Sequence, residues 1–367
     1  MREMKSLEAP LSDMSLPLTV EQITPQWLSA ALRFRYPTVE VTRSTVEDVI
    51  YGTSTKIRVR CEYNTAGARA GLPPTLIVKG GFEAHSPKMK EMYANEIRFY
   101  RDVQPNVPIN SPKCYYAGSD PNSHQSIVIM EDLKAANARF LHPQHPQPYD
   151  EVAWRLADMA RYHAHTWNSP EFAAGGSLDW VGSRFDGWSV TYQERYLVPD
   201  VWRHYMESPR GAAISNRLHD AGQMRRALLR IGELERAEPH CLIHGDTHLG
   251  NLYIEANGTP GFFDAQVARA SWHLEVSYHM TCALDIADRR QWERPLLVHY
   301  LEALKSHGIA APTFDKAWLS YRRSLAYGLF IFVINEIRFQ TEAINTAYTA
   351  RFGAACLEHD TMALLPR

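Results

Sequence analysis

The segment from Cys241 to Asp264 is the part of this chain that most constrains its fold. Two short apolar runs within it flank Asn257-Gly258, a dipeptide that strongly favours a β-hairpin turn. Because a hairpin brings its ends together, we expect Asn251, just before the first run, to lie beside Asp264, just after the second. The spacing therefore predicts two oxygen-bearing side chains next to each other.

The composition is that of a globular protein with a near-neutral charge. Of the 367 residues, 45% are hydrophobic, which is enough for a large core and for two packed lobes or domains. Lysine and arginine number 39 against 41 acidic residues, so the formal charge is −2. No strongly basic surface is implied, and nucleic acid is not a favoured partner.

The cysteines and the apolar segments favour a cytoplasmic protein. The five cysteines are scattered and form no CxxC pair, which argues against a disulfide framework or a zinc cluster. The N-terminus has no apolar core of the signal-peptide type, and the longest apolar stretch, Leu325 to Ile334, is too short to span a bilayer. We therefore expect a cytoplasmic chain without a membrane span.

The order of the predicted elements indicates an α+β fold. The first 130 residues contain one principal helix, from Ser86 to about Arg101, and five strand-like runs bounded by turn residues. These strands are predicted at residues 39–51, 56–63, 75–79, 113–117 and 126–130. Helices dominate afterwards, so we expect an N-terminal lobe at 1–132 and a larger, mostly helical lobe at 133–367.

The loop before the hairpin carries side chains suited to phosphoryl transfer. Mg²⁺ in proteins takes oxygen ligands and keeps part of its water shell, so the amide of Asn251 and the carboxylate of Asp264 are enough to hold it. Asp246 lies five residues before Asn251 in the same loop. It can face the metal-bound phosphate and accept the proton of a hydroxyl group.

The pattern HGD-x4-N beginning at His244, followed by FFD ending at Asp264, resembles the catalytic and metal-binding loops of the aminoglycoside phosphotransferase/choline kinase superfamily. Within it, the resemblance is closest to ecdysteroid-kinase-like phosphotransferases. It extends from about residue 20 to beyond 280. It implies a protein-kinase-like two-lobed fold, ATP and Mg²⁺ as cofactors, and a small-molecule hydroxyl acceptor. Asp246 takes the place of the catalytic base, and Asn251 and Asp264 take the places of the metal ligands.

The same resemblance assigns residues of the N-terminal lobe to the phosphates of the nucleotide. Lys79 ends the strand whose lysine holds the α- and β-phosphates, and Glu96 takes the place of its glutamate partner. The phosphate-covering turn at 51–56 departs from the family because it lacks a GxGxxG pattern. There we expect contacts from Thr53 and Ser54, through hydroxyl and backbone N–H groups.

The strand and hinge that hold adenine in the family correspond to Met130, Glu131 and Leu133. Met130 is either the residue that gates the adenine pocket or an ordinary core methionine, and a core role is expected in both cases.

Two positions near the loop have mainly supporting roles by this resemblance. His244 is interpreted as structural, supporting the loop by packing and hydrogen bonds rather than by acid–base catalysis. Glu275 stands where the family often has an aspartate that supports the catalytic loop, and its extra methylene is a departure.

A metal-dependent hydrolase is one alternative. Four side chains close in sequence could bind zinc and activate water, although their spacing matches no established hydrolase motif. These are His240, His244, Asp246 and His248.

A nucleotide-binding pseudokinase without catalytic activity is the second alternative. Such proteins typically lack the base, a metal ligand or the lysine. All of these are present here, which disfavours this alternative, although residue content alone does not exclude it.

The acceptor is sought in the helical lobe, where aromatic residues are concentrated. Thirteen lie within residues 140–207, about 19% of that segment against 11% of the whole chain, as in the apolar walls of ligand pockets. The segment also has nine acidic residues against five arginines, which would suit a cationic acceptor. The resemblance to ecdysteroid-kinase-like proteins favours a largely apolar alcohol of the sterol or terpenoid kind.

Overall fold

The computed structural model of this chain describes residues 15–365, except the side chain of Trp188. Residues 1–14, on which the expected absence of a signal peptide largely rests, lie outside this range. The described chain forms two compact units, one of residues 15–106 and 111–138 and one of residues 107–110 and 139–365. The functional lobes at 1–132 and 133–367 remain a proposal, because compactness does not show which unit binds which substrate.

The first unit is built on a five-stranded antiparallel sheet in the order β1-β2-β3-β5-β4. Its strands are β1 Val41–Ile50, β2 Thr55–Tyr63, β3 Thr75–Gly80, β4 Cys114–Ser119 and β5 Ser126–Glu131. All five were predicted, with ends that differ by at most two residues. Alternating apolar side chains such as Ile57 and Val59 on β2 are fully buried and form the core under the sheet.

Three α-helices accompany this sheet: α1 Pro25–Arg33, α2 Thr65–Arg69 and α3 Lys90–Arg98. The predicted helix at 86–101 is present but not uniform. It begins as a 3₁₀ turn, Ser86–Met89, continues as α3, and ends in a π-helical turn, Phe99–Val103. The π turn places both Phe99 and Tyr100 in the interior.

The second unit is mostly helical, as expected. Its helices are α4 Tyr149–His165, α5 Gly187–Glu194, α6 Pro199–Met206, α7 Pro209–Ala212, α8 Ala221–Glu235, α9 Trp272–Ala283, α10 Ile286–Ser306, α11 Phe314–Ile334 and α12 Glu342–Glu358. Every residue of α9 is buried, and α11 packs against both α9 and α12. The apolar stretch 325–334 is the buried end of α11. Among the described residues, no helix is long and apolar enough to cross a membrane.

Two small sheets interrupt these helices. One pairs β7 Cys241–Ile243 with β10 Ala268–Ala270, and the other contains β6 Arg139–Phe140, β8 Leu252–Ile254 and β9 Pro260–Phe262. The strands β8 and β9 form the predicted hairpin, with Leu252 opposite Phe262.

Candidate active site

The ends of the β8–β9 hairpin lie together, as the sequence predicts. At the closed end, Gly258 has φ +89°, a conformation that suits glycine in a tight turn. At the open end, the backbone N–H of Phe263 donates to the carbonyl of Asn251 at 3.0 Å. Asp264 follows with φ +57°, a left-handed conformation that is uncommon for a residue other than glycine. The chain therefore turns sharply at the predicted metal-binding carboxylate.

The amide of Asn251 is oriented by Asp246. Its Nδ2 donates to the Asp246 carbonyl oxygen and to Asp246 Oδ2, both at 3.0 Å. Because the nitrogen of the amide is held on Asp246, the amide oxygen is turned away from this carboxylate. Asn251 is only 7% exposed, so it offers a pre-oriented oxygen of the kind that Mg²⁺ prefers.

The carboxylate of Asp246 is held through both oxygens and is still accessible. Oδ1 accepts a hydrogen bond from the hydroxyl group of Tyr278 at 2.8 Å, and Oδ2 accepts the one from Asn251. The side chain is 33% exposed. An anchored, ionisable and partly exposed carboxylate beside an oxygen ligand is suited to accept a proton from a bound hydroxyl group.

Glu275, in the first turn of α9, supports the backbone of this loop. Its carboxylate accepts hydrogen bonds from the backbone N–H groups of His244 at 3.2 Å and Gly245 at 2.8 Å, and it is 2% exposed. Tyr162 and His163 donate to the same carboxylate at 2.7 and 2.9 Å. The predicted supporting role of Glu275 is therefore confirmed.

The charge of Glu275 is stabilised although the carboxylate is buried. Burial alone raises the pKa of a carboxyl group, but the interactions with His163, His244 and Tyr162 together outweigh it, and the pKa of Glu275 lies at about 2. The carboxylate therefore remains an acceptor for the loop at every pH near neutrality.

His244 has the geometry of a structural residue. It is fully buried, its Nε2 donates to the carbonyl of Phe263 at 3.1 Å, and its Nδ1 accepts from the backbone N–H of Asp246 at 3.3 Å. Burial lowers the pKa of His244, so the neutral ring fits both contacts. With both nitrogens used, the ring joins the loop to the end of β9.

His248 extends the loop towards the segment between α11 and α12. Its Nδ1 accepts from the backbone N–H of Gly250 at 3.0 Å, so its Nε2 carries the proton of the neutral ring. The side-chain amide of Gln340 lies 2.8 Å from this Nε2. The same Nε2 lies 3.6 Å from Asp246 Oδ2.

The zinc cluster proposed for the hydrolase alternative is not formed by the described residues. Among residues 15–365, no group of three or more histidine, cysteine, aspartate or glutamate side chains is placed to hold a metal ion. The histidines of the cluster have other partners: Nε2 of His240, for example, contacts the carbonyl of Glu235 at 3.0 Å.

In the first unit, Lys79 and Glu96 form a buried ion pair. Lys79 Nζ lies 2.6 Å from Glu96 Oε1, and each residue is 5% exposed. Charges are rarely buried unless they are paired, so a pair in this position is costly to break. The partnership between these residues that the resemblance implies is present, whereas their contact with a nucleotide remains a prediction.

The turn between β1 and β2 is anchored through Thr53. Its carbonyl oxygen accepts hydrogen bonds from the Tyr93 hydroxyl group at 2.5 Å and contacts His85 Nε2 at 3.2 Å. Ser54 is 5% exposed, so its hydroxyl group is largely shielded. Phosphate contacts of this turn therefore fit backbone N–H groups better than the serine hydroxyl, and they remain predictions.

The predicted adenine-binding residues lie at the end of β5 and just beyond it. Met130 is 6% exposed and its sulfur accepts a long hydrogen bond from Tyr100 at 3.7 Å, so its core role is confirmed. Glu131 accepts from the backbone N–H of Lys113 at 3.3 Å, and Leu133 is buried. Their contact with adenine remains a prediction.

The contacts made by Arg184, Asp132 and Tyr278 are among those that were not predicted. Arg184 donates to the carbonyl oxygens of Gly245 and Gln266, which ties both sides of the loop together. In the first unit, the buried Asp132 pairs with Arg58 at 2.9 Å. The third is the Tyr278 hydroxyl on Asp246, for which the only available signal was its place one helical turn after Glu275.

Comparisons with known proteins identify the family of this chain. The family model described as "Phosphotransferase enzyme family" matches residues 75–275, which contain every candidate site residue except Thr53 and Ser54. A comparison with curated proteins found no match.

Solved structures show the same fold at low sequence identity. An ethanolamine kinase from Plasmodium vivax is similar with a TM-score of 0.52 and 11% identity, covering 85% of this chain and 82% of that one. An amicoumacin kinase in complex with AMP-PNP, Ca²⁺ and Ami has a TM-score of 0.50 and 13% identity, covering 87% and 88%. The predicted fold class and superfamily are confirmed. Neither structure is described as an ecdysteroid kinase, so that finer resemblance stays a prediction.

Proposed function

This chain belongs to the phosphotransferase enzyme family, and we propose that it moves the γ-phosphate of ATP to a hydroxyl group of a small-molecule acceptor. The observation that carries the proposal is the Asp246 carboxylate, anchored by Asn251 and Tyr278 yet one-third exposed. It lies beside the hairpin end that presents the predicted metal ligands.

The proposed mechanism is direct transfer with Asp246 as the base. Asp246 orients the acceptor hydroxyl group and takes its proton as the bond to phosphorus forms. Asn251 and Asp264 would hold Mg²⁺, which when bound offsets the negative charge of the phosphates. The orientation of the Asn251 amide and the oxygen donor set fit this ion.

The first unit would bind the nucleotide. Lys79, kept charged and oriented by Glu96, would hold the α- and β-phosphates, in keeping with their 2.6 Å ion pair. The backbone at Thr53 and Ser54 would cover the phosphates. Adenine would lie against the strand end and hinge formed by Met130, Glu131 and Leu133.

A stability measurement tests the nucleotide and metal part of the proposal. Addition of ATP with Mg²⁺ at about 100 times the dissociation constant should stabilise the folded chain by about 2.7 kcal/mol. EDTA and Asp264→Ala should each remove the Mg²⁺-dependent part of this gain, as measured by thermal unfolding. Asp200→Ala is the matched control, because that side chain is 85% exposed. Unfolding that is indifferent to nucleotide and metal at millimolar concentrations contradicts the assignment.

Many of the aromatic residues within 140–207 belong to the protein core and are not free to line an acceptor pocket. Of the twelve rings that the structure describes, five are core residues with at most 9% exposure: Tyr162, Phe172, Phe185, Tyr196 and Trp202. The aromatic density therefore lends little support to a sterol-like acceptor, and that preference rests on the resemblance to ecdysteroid-kinase-like proteins.

A cluster on the second unit favours a cationic acceptor instead. The guanidinium group of Arg195 lies 4.2 Å from the ring centre of Tyr192 and 5.1 Å from that of Tyr196, so these ring faces already accept a cation. The carboxylate of Glu336 accepts from the Tyr196 hydroxyl group at 2.9 Å and pairs with Arg338 at 2.7 Å. We propose a hydroxylated amine as the acceptor, whose ammonium group would replace Arg195 over the tyrosine rings and Arg338 at Glu336, with an apolar alcohol as the alternative.

The segment that carries Glu336 leads to the candidate active site. It ends at Gln340, whose amide contacts His248, and His248 lies 3.6 Å from the Asp246 carboxylate. An acceptor with its amine at Glu336 would therefore be bound by a segment that also contacts the loop of the proposed base.

A panel of acceptors tests this preference. Aminoglycosides and amino alcohols should be phosphorylated faster than lipophilic alcohols, and Glu336→Gln should lower kcat/KM for the amines by about 10–100-fold, as expected for loss of a charged hydrogen bond. Neutral alcohols should be unaffected. Glu302→Gln, at an exposed position of α10, is the matched control. Faster turnover of every lipophilic alcohol than of any amine contradicts the preference and leaves the kinase assignment intact.

A further inference from the structure

One face of α9 supports consecutive residues of the loop. Glu275 accepts hydrogen bonds from the backbone at the start of the loop, and three residues later Tyr278 donates to the carboxylate of Asp246. His279, the next residue, contacts the carbonyl of Thr247 through Nδ1 at 3.0 Å. Positions three and four apart lie on one helix face, so α9 contacts the loop residue by residue.

Tyr278 differs from its neighbours on this face because it contacts the carboxylate that would react. Its hydroxyl group lies 2.8 Å from Asp246 Oδ1, while Oδ2 is held by the amide of Asn251 at 3.0 Å. One donor on each oxygen restricts rotation of the carboxylate. A carboxylate has about four acceptor sites, so an oxygen remains able to receive a further proton.

The ring of Tyr278 is itself fixed in place. It is 5% exposed and stacks on Phe332 with ring centres 5.4 Å apart and an interplanar angle of 18°. Phe352 packs at 5.9 Å. Burial raises the pKa of Tyr278 well above its usual value, so the hydroxyl group keeps its proton and donates to Asp246. The aromatic packing would persist without the hydroxyl group.

We propose that Tyr278 is a positioning residue for phosphoryl transfer, which holds the Asp246 carboxylate in the rotamer that faces the acceptor hydroxyl group. This inference rests on the proposed function of Asp246. In the reaction, the acceptor proton passes to Asp246, the acceptor oxygen bonds to phosphorus, and ADP leaves. Tyr278 neither gains nor loses a proton. Its contribution is geometric, and misplacement of a reacting group by about 1 Å can cost about 100-fold in rate.

The Tyr278→Phe variant tests this inference. We expect kcat to fall by about 10–100-fold, while KM for ATP and the stabilisation by ATP with Mg²⁺ stay within about twofold of the parent values. Tyr321→Phe is the matched control. Tyr321 is also fully buried and donates to a carboxylate, that of Glu293, at 3.2 Å, but it lies outside the candidate site. The control should keep its kcat.

The assay uses the fastest acceptor of the panel, together with crystal structures of the parent and of Tyr278→Phe. The Asp246 side chain should occupy one rotamer in the parent and more than one in the variant. If the parent transfers phosphate and Tyr278→Phe has the same kcat, this inference is overturned while the proposed function stands. The same holds if kcat falls equally in Tyr278→Phe and Tyr321→Phe. Absence of transfer by the parent contradicts the proposed function. Without transfer, the crystal structures still test the inference: if Asp246 has the same single rotamer in the parent and in Tyr278→Phe, the positioning role is overturned.

Discussion

Replacement of Asp246 by asparagine should reduce phosphoryl transfer by a factor of about 10²–10⁴, which is the usual contribution of a positioned base. The substitution keeps the size of the side chain but removes its ability to take a proton. Nucleotide affinity should change little, because Asp246 faces the acceptor in the proposed mechanism. Single-turnover transfer and calorimetric titration with ATP and Mg²⁺ measure the two effects separately.

The control for this variant is Asp200→Asn, at a side chain that is 85% exposed. It introduces the same chemical change outside the site and should leave both measurements unchanged. Parent-like turnover in Asp246→Asn would contradict the role of Asp246 as the base. A large loss of nucleotide affinity would show that Asp246 contacts the nucleotide rather than the acceptor.

Removal of the Glu275 carboxylate should produce the largest loss of stability. Glu275→Ala leaves the donors of Tyr162 and His163, together with two backbone N–H groups of the loop, without their buried partner. Breaking a buried charged network in this way typically costs about 3–5 kcal/mol. Urea unfolding at neutral pH measures the change. An exposed glutamate of α10 provides the control, since Glu302→Ala should stay within about 0.5 kcal/mol of the parent.

The contribution of Glu275 to the stability of the folded chain should decrease as the pH falls. Its pKa in the folded chain is about 2, below the ordinary 4.5, so the folded state favours the ionised form. One pKa unit corresponds to about 1.4 kcal/mol, and the preference is therefore about 3 kcal/mol. This contribution is fully present above about pH 4.5 and is lost as the pH falls towards 2. A stability difference between parent and Glu275→Ala that grows on acidification contradicts this account.

The parts of the fold that were predicted correctly are those governed by local interactions. The β8–β9 hairpin follows from the turn preference of Asn257-Gly258, so the closeness of Asn251 to the end of the second strand could be deduced from spacing alone. The strands of the first unit have alternating apolar residues and clear turn signals at their ends. For Lys79 and Glu96, the pairing came from resemblance, since an isolated strand-end lysine has no local signature.

The parts that were missed depend on contacts between distant segments. Tyr278 is 32 residues from Asp246, and its hydroxyl group reaches the carboxylate only because α9 packs under the loop. Arg184 is 61 residues from Gly245. No periodicity or turn preference encodes such pairs. The histidine cluster was misleading for the opposite reason. Its histidines are close in sequence, which suggested that they bind one zinc ion together, but His240 contacts a backbone carbonyl outside the cluster.

The most direct test of the central claim is identification of the phosphorylated product. After incubation with ATP, Mg²⁺ and the acceptor panel, ³¹P NMR should show a phosphate monoester of one acceptor, formed in equal amount with ADP. The Asp246→Asn chain should form at most about one hundredth of this product in the same time. ADP accompanied only by inorganic phosphate, or equal ester formation by both chains, would contradict the assignment of Asp246 as the base of a small-molecule kinase.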